Sequence, residues 1–216
     1  MAELLIVRHG QASFGAQDYD RLSDIGHRQS ALLGETLRAR GWAPDRVVTG
    51  TLRRQTETLR AMGFGEPSEA HAGLNEYNFT DLLAARFKHG LPNDDTTDRR
   101  HHFRILRDTV FEWQNDKLTG VAETWKDFKT RVEAGRQFAT RPGAKRVLVI
   151  SSGGVIGQMV AAALGAPDAQ MMHLNLQIKN AAMTRFIFTQ GAFSLHEFNM
   201  TPHLDHPDLA DIQTFS

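Results

Sequence analysis

The sequence predicts an α/β protein, a three-layer αβα sandwich with a mostly parallel central sheet, and three observations carry that expectation. Leu4-Leu5-Ile6-Val7 and Arg146-Val147-Leu148-Val149-Ile150 are continuous apolar runs, as strands covered on both faces require, whereas half-exposed strands alternate apolar with polar residues. Each run leads, directly or through a short polar stretch, into a segment with helical spacing, which is the βαβα alternation of a parallel sheet. Finally, 216 residues with 41% apolar and 23% charged side chains match a soluble globular composition and suffice to close a core.

The elements follow in order. Leu4 to Val7 is the first strand. Ser23 is placed to cap a helix in which Ile25, Leu32, Leu33 and Leu37 fall near one face and which ends at Gly41. Arg46 to Thr49 reads as a second buried strand, and Leu52 to Met62 as a helix stopped by Gly63. Between Asn78 and Gly120 the chain turns to Phe, His, Arg and Asp without strand signals, punctuated by Leu91-Pro92-Asn93-Asp94. That interval is expected to be a helical cap inserted into one domain spanning residues 1–216. Glu123 to Thr140 is amphipathic, and Trp113, Trp125 and Phe128 are expected in the core. Arg146 to Ile150 is the clearest strand, and Gly153 to Leu164 opens a helix directly after it. Segments 180–189 and 192–199 are late strands, and the polar tail after Thr201 is expected on the surface.

Charge and composition exclude several classes. Lys plus Arg number 25 and Asp plus Glu 25, so no net charge favours nucleic acid or an anionic membrane surface. With no Cys, disulfides, thiolate nucleophiles and Cys-ligated metal sites are excluded, which fits a reducing cytoplasm. The start shows no basic leader or cleavage site and is expected to be mature. The longest apolar stretch, Val155 to Ala166, is interrupted by Gln158 and is shorter than the roughly 18 residues of a spanning helix. Arg outnumbers Lys by 19 to 6, a bias toward two-pronged recognition of phosphate or carboxylate.

In open α/β sheets ligands collect beyond the carboxyl ends of the strands. The residues there are Arg8-His9-Gly10, Thr49-Gly50-Thr51-Leu52-Arg53-Arg54 and Ser151-Ser152-Gly153-Gly154. Val7-Arg8-His9-Gly10 resembles the opening motif of the histidine phosphatase superfamily, the phosphoglycerate mutase-like family. Leu22-Ser23-Asp24-Ile25-Gly26-His27-Arg28-Gln29 is similar to its Leu-Thr-x-x-Gly-x-x-Gln helix start, and Leu52-Arg53-Arg54 with Thr58 to its Leu-x-Arg-x-x-x-Thr element. Leu74-Asn75-Glu76 resembles the segment that carries its proton donor, and Arg146 to Gly154 its final strand and glycine turn.

The resemblance implies a metal-independent phosphatase that forms a phosphohistidine on His9. Arg8 and Arg54 clamp the phosphate, Glu76 serves as acid and base, and Ser152 and Gly153, with Gly154, supply donors at a helix start. No cofactor is implied. The partners implied are a small phosphorylated substrate or inorganic phosphate. Two positions depart from the family pattern: Ser152 stands where the family has a second histidine, and Gly15 where many members have Asn, with Gln11 and Ser13 as compensating donors. Losing one charge-stabilising donor costs about 100- to 1000-fold in rate, so slow turnover is expected, and Ser152→His is expected to raise it if the lost charge is limiting. A phosphate-ligand-binding protein with little or no turnover, and a phosphoglycerate mutase, remain as alternatives.

Other clusters carry weaker expectations. Ser152 lacks the Gly-x-Ser-x-Gly frame of a nucleophile elbow, and Gly153-Gly154 lacks the ending of a P-loop. His101-His102 and His203-x-x-His206, with Asp205 and Asp208, match no helical metal motif. His101 or His102 is a candidate cation reaching the pocket from the cap.

Overall fold

The computed structural model describes residues 1–13, 20–65, 67–88 and 99–215, and for 99–102 the helical backbone alone. The Leu91-Pro92-Asn93-Asp94 punctuation and Gly15 lie outside the described residues, as do the side chains of His101 and His102. The strands are β1 (Ala2–Arg8), β2 (Arg46–Thr49), β3 (Glu69–Ala70), β4 (Arg146–Ser151), β5 (Met183–Phe188) and β6 (Phe193–Met200). They form one sheet in the order β3-β2-β4-β1-β5-β6. β1 pairs parallel with β4, with Val7 opposite Ile150 and Arg8 opposite Ser151; β2 pairs parallel with β4 and β3. β5 and β6 close the other edge antiparallel.

The continuous apolar runs follow from burial on both faces. Leu4, Ile6, Val147 and Val149 point into one apolar cluster, while Leu5, Val7, Leu148 and Ile150 point into the other. The second cluster is closed by α1 (Asp24–Ala39) and α2 (Arg53–Met62) through Leu33, Leu37, Leu59 and Met62. Ser23 caps α1 by accepting from the Gly26 amide, and Gly63 ends α2 with φ +76°, the left-handed conformation glycine adopts without strain.

The first cluster is covered by α3 (Phe79–Arg86), α4 (Arg99–Gln114), α5 (Trp125–Thr140), α6 (Gly153–Ala163) and α7 (Ala169–Asn175). Of these, α3 and α4 occupy the interval in which a cap is expected. Thr124 and Asp127 form a reciprocal capping box at the start of α5. Trp113, Trp125 and Phe128 are buried, with ring centroids 5.1–5.3 Å apart, and Tyr77 joins them 5.8 Å from Phe128. Burying a large apolar side chain is worth about 1.5–3 kcal/mol.

The tail lies on the surface only in part: residues 205–208, 210–211 and 215 are exposed, and others anchor it. Leu204, Ile212 and His203 are buried, and the backbone is tied in: the Asn180 amide donates to Thr214 O at 3.0 Å and Gln29 Nε2 donates to Ile212 O at 2.6 Å. Neither ring nitrogen of His203 has a hydrogen-bond partner among the described residues. Burial, helped by Arg40, lowers its pKa to about 4. The folded chain therefore resists a proton that the unfolded chain accepts near pH 6.5, so stability is full above that pH and falls as pH drops toward 4. The loss from this group reaches about 3 kcal/mol. Denaturant midpoints of the wild type should fall more steeply between pH 6.5 and 4 than those of His203→Leu; equal slopes would refute this.

Candidate active site

Four chain segments, residues 8–10, 54, 76 and 152–154, bring the site together at the carboxyl end of the sheet. Arg8 ends β1, and His9 and Gly10 follow it. Gly10 has no room for a side chain, because a Cβ would collide with the Gly26 carbonyl, so β1 runs straight onto the start of α1. The Gly10 amide donates to Thr58 Oγ1 at 3.0 Å, which locks the turn to α2.

His9 is 3% exposed, and its two ring nitrogens have different partners. Nε2 lies 3.1 Å from Arg54 Nε, and a guanidinium can only donate, so Nε2 is the acceptor and carries the lone pair. The proton therefore sits on Nδ1, which donates to the Gly10 carbonyl at 2.8 Å. Burial, then the charges of Arg54 and Arg8, hold the His9 pKa well below the ordinary imidazole value. The ring is neutral at physiological pH, with one unshared pair beside a guanidinium.

Arg8 and Arg54 are 7% and 8% exposed. Arg8 Nη1 donates to the Ile178 carbonyl, and Arg54 Nη1 pairs with Asp20 at 2.7 Å. Asp20 also accepts from the Arg53 amide at 2.9 Å, so this carboxylate sits across the start of α2. Asp20 was not legible as a site residue, because nothing in its local sequence marks the arginine it reaches.

Glu76 arrives from the loop after a short 3₁₀ turn, Ala72–Leu74. Its Oε2 accepts from the Gly154 amide at 3.0 Å, and its Oε1 from the Tyr77 amide at 3.2 Å. A Cβ at Gly154 would strike both this carboxylate and the Tyr77 ring. In this arrangement the Gly154 amide, expected to serve a phosphate, donates to Glu76, whose carboxyl group lies at the first turn of α6. Gly153 remains close to the cradle, since a Cβ there would sit 3.6 Å from Arg8 Cζ and collide with Asn175 Oδ1. Asn175 Nδ2 in turn donates to the Tyr77 hydroxyl at 3.2 Å.

Ser152, the N-cap of α6, is fully buried, and its Oγ accepts from Gln55 Nε2 at 2.9 Å. Gln11 and Ser13 are engaged locally: Ser23 Oγ donates to Gln11 Oε1 at 2.8 Å, and Ser13 Oγ to Leu22 O at 3.1 Å. His203 lies in the buried tail, while His206 is an exposed neighbour of Asp208 at 3.6 Å. Among the described residues no group of three or more His, Asp or Glu side chains is arranged to hold a metal, and no helix is long and apolar enough to cross a membrane.

A family model for the histidine phosphatase superfamily, branch 1, matches residues 4–201. The chain belongs to that superfamily and is an enzyme of the histidine phosphatase type. Among relatives, it is 27% identical to the adenosylcobalamin/alpha-ribazole phosphatase of Salmonella typhi, over 81% of this chain and 85% of that protein. It is 21% identical to a Yersinia enterocolitica protein named "Probable phosphoglycerate mutase GpmB", over 99% of this chain and all of that one. In structure it resembles a mycobacterial glucosyl-3-phosphoglycerate phosphatase solved with inorganic phosphate, with a TM-score of 0.65, 21% identity, and coverage of 95% of this chain and 100% of that one.

Proposed function

We propose that this chain hydrolyses a small phosphomonoester through a phosphohistidine on His9, without a metal. The observation that supports this most directly is the tautomer fixed at His9: Nδ1 is tied to the Gly10 carbonyl and the Nε2 pair faces Arg54. A neutral imidazole with its lone pair turned to one guanidinium, and with the charge of Arg8 close enough to lower its pKa, suits attack on a phosphate dianion, whose charge the arginines offset.

In the first step the Nε2 pair bonds to phosphorus and the ester P–O bond breaks, the alkoxide taking a proton from Glu76. In the second, Glu76 accepts a proton from water, the resulting hydroxide attacks phosphorus, and the P–N bond breaks, returning the pair to Nε2 and releasing phosphate. Arg8 and Arg54 hold the non-bridging oxygens, with the Gly153 end of α6 beside Arg8. Arg54 must exchange part of its present contact with Asp20 or His9 for the phosphate.

The substrates belong to the class of small phosphorylated metabolites, as the names of the relatives suggest, and the α3–α4 interval sets the selection among them. Turnover is slow, because Ser152 supplies no positive charge where relatives of the usual pattern have a second histidine. The test is a panel of phosphomonoesters assayed with and without a chelator. Release of phosphate from at least one ester, undiminished by chelation, is the expected result. Tight binding of phosphorylated compounds with no release from any would favour a ligand-binding role, a reading that the buried Ser152 and the Asp20–Arg54 pair also support.

A further inference from the structure

Gln55 has the geometry of a filler for an absent side chain. It is fully buried in the first turn of α2, directly after Arg54, and both ends of its amide are used. Nε2 donates to Ser152 Oγ at 2.9 Å and to Leu74 O at 3.0 Å, while Oε1 lies 3.3 Å from the Leu52 amide it accepts from. These partners fix the amide orientation, since a backbone carbonyl takes only the NH₂ end and a backbone N–H only the oxygen. Gly50 packs so closely that a Cβ there would overlap Gln55 Oε1, so the long side chain has no slack on that side. Ser152, for its part, shows no solvent-accessible surface, whereas His9 keeps a 3% exposed edge.

We propose that Gln55 and Ser152 form a two-residue neutral plug in the volume that an imidazole at position 152 would occupy, with Gln55 as the residue that keeps a cation out of the phosphate site. An imidazole grown along the Cβ–Oγ direction of Ser152 meets the Gln55 amide 2.9 Å away, and the full burial of Ser152 leaves no open direction for it to swing. The expectation that Ser152→His alone raises the rate is therefore replaced. Charge returns to the site only when position 55 is shortened at the same time. Shortening it does not release the Glu76 segment, because Ser151 Oγ still donates to Leu74 O at 2.7 Å.

This inference rests on the phosphatase reading for its kinetic arm but not for its binding arm. The experiment compares wild type, S152H, Q55A and Q55A/S152H, with Q55S/S152H as a second paired version that keeps a small polar group at position 55. Three quantities are read: kcat/KM on p-nitrophenyl phosphate against pH, affinity for inorganic phosphate by calorimetry, and the thermal midpoint. The paired variants should gain at least about 10-fold in kcat/KM, part of the roughly 100- to 1000-fold that one such donor is worth, and should acquire a new ionisation in the pH profile. They should also bind phosphate more tightly than wild type, while S152H alone gains nothing and melts lower. A gain in S152H equal to that of the paired variants would overturn the plug, as would folded paired variants with neither gain. Tighter phosphate binding in the paired variants, with no turnover by any of the proteins, would keep the plug and reject the phosphatase reading instead.

Discussion

Replacing His9 with alanine should lower kcat/KM on any substrate of this protein by roughly 10,000-fold or more, the scale on which removal of a covalent nucleophile acts. Among the described residues no second nucleophile stands ready in the cradle. Ser152 is fully buried with its oxygen engaged by Gln55, and the guanidiniums of Arg8 and Arg54 are donors with no lone pair to offer. Both guanidiniums survive the substitution, so inorganic phosphate should still bind the variant within about 10-fold of the wild type. Loss of rate with retained binding separates a chemical role for the imidazole from a structural one. A variant that binds phosphate and keeps its turnover would remove His9 from the chemistry.

Glu76→Gln should divide substrates by their leaving groups. For an alkyl phosphate, whose alkoxide needs a proton to depart, the rate should fall by roughly 100- to 10,000-fold. For p-nitrophenyl phosphate the phenolate leaves unaided, so the first step should proceed while hydrolysis, now without its base, lags behind. A burst of p-nitrophenol close to one equivalent of enzyme should then precede a slow steady rate. Glutamine preserves the shape of the carboxylate and can still accept from the Gly154 amide through its oxygen, while its NH₂ end gives up the Tyr77 amide, a loss of about 1 kcal/mol that should leave the protein folded. Uniform slowing on both substrates, with no burst, would assign Glu76 to positioning rather than proton transfer.

Much of the fold was readable because its central strands are covered on both faces. That geometry demands uninterrupted apolar runs, and β1 and β4 show them. Ser23 and Gly63 announced helix ends because capping and left-handed geometry restrict residue choice locally. β3 escaped notice since Glu69 and Ala70 are two exposed residues, too few to show a strand period, and the arginine that Glu69 pairs with, Arg141, is far along the chain. The short α7 carries only Met171 and Met172 as buried residues, too few to set a period. The tail looked superficial because its few buried anchors, His203, Leu204 and Ile212, are set among exposed polar residues and show no period.

The site divides in the same way. The placement of Arg8, His9 and Ser152 at strand ends, and of Arg54 in the helix turn just beyond one, was readable because the end of an apolar run fixes the end of a parallel strand. Asp20, Gln55 and Asn175 were not, since their roles depend on partners 34, 97 and 98 residues away, respectively Arg54, Ser152 and Tyr77. The effect of Ser152 could not be read from its own identity either. A serine in place of a histidine suggests a missing charge with open space beside it, but the space has been filled from α2.

The central claim is tested most directly by trapping the intermediate. His9 is the sole histidine in residues 1–21, so label on that peptide is unambiguous. The protein should be mixed with a ³²P-labelled substrate found in the ester panel, quenched in alkali within milliseconds, and digested. Alkali-stable, acid-labile label should appear on the fragment that contains His9 and be lost in His9→Ala; with a ³²P-labelled aryl ester, whose phenolate leaves unaided, it should accumulate in Glu76→Gln. Turnover of the same ester with no label at His9, or with label on a different residue, would contradict that claim.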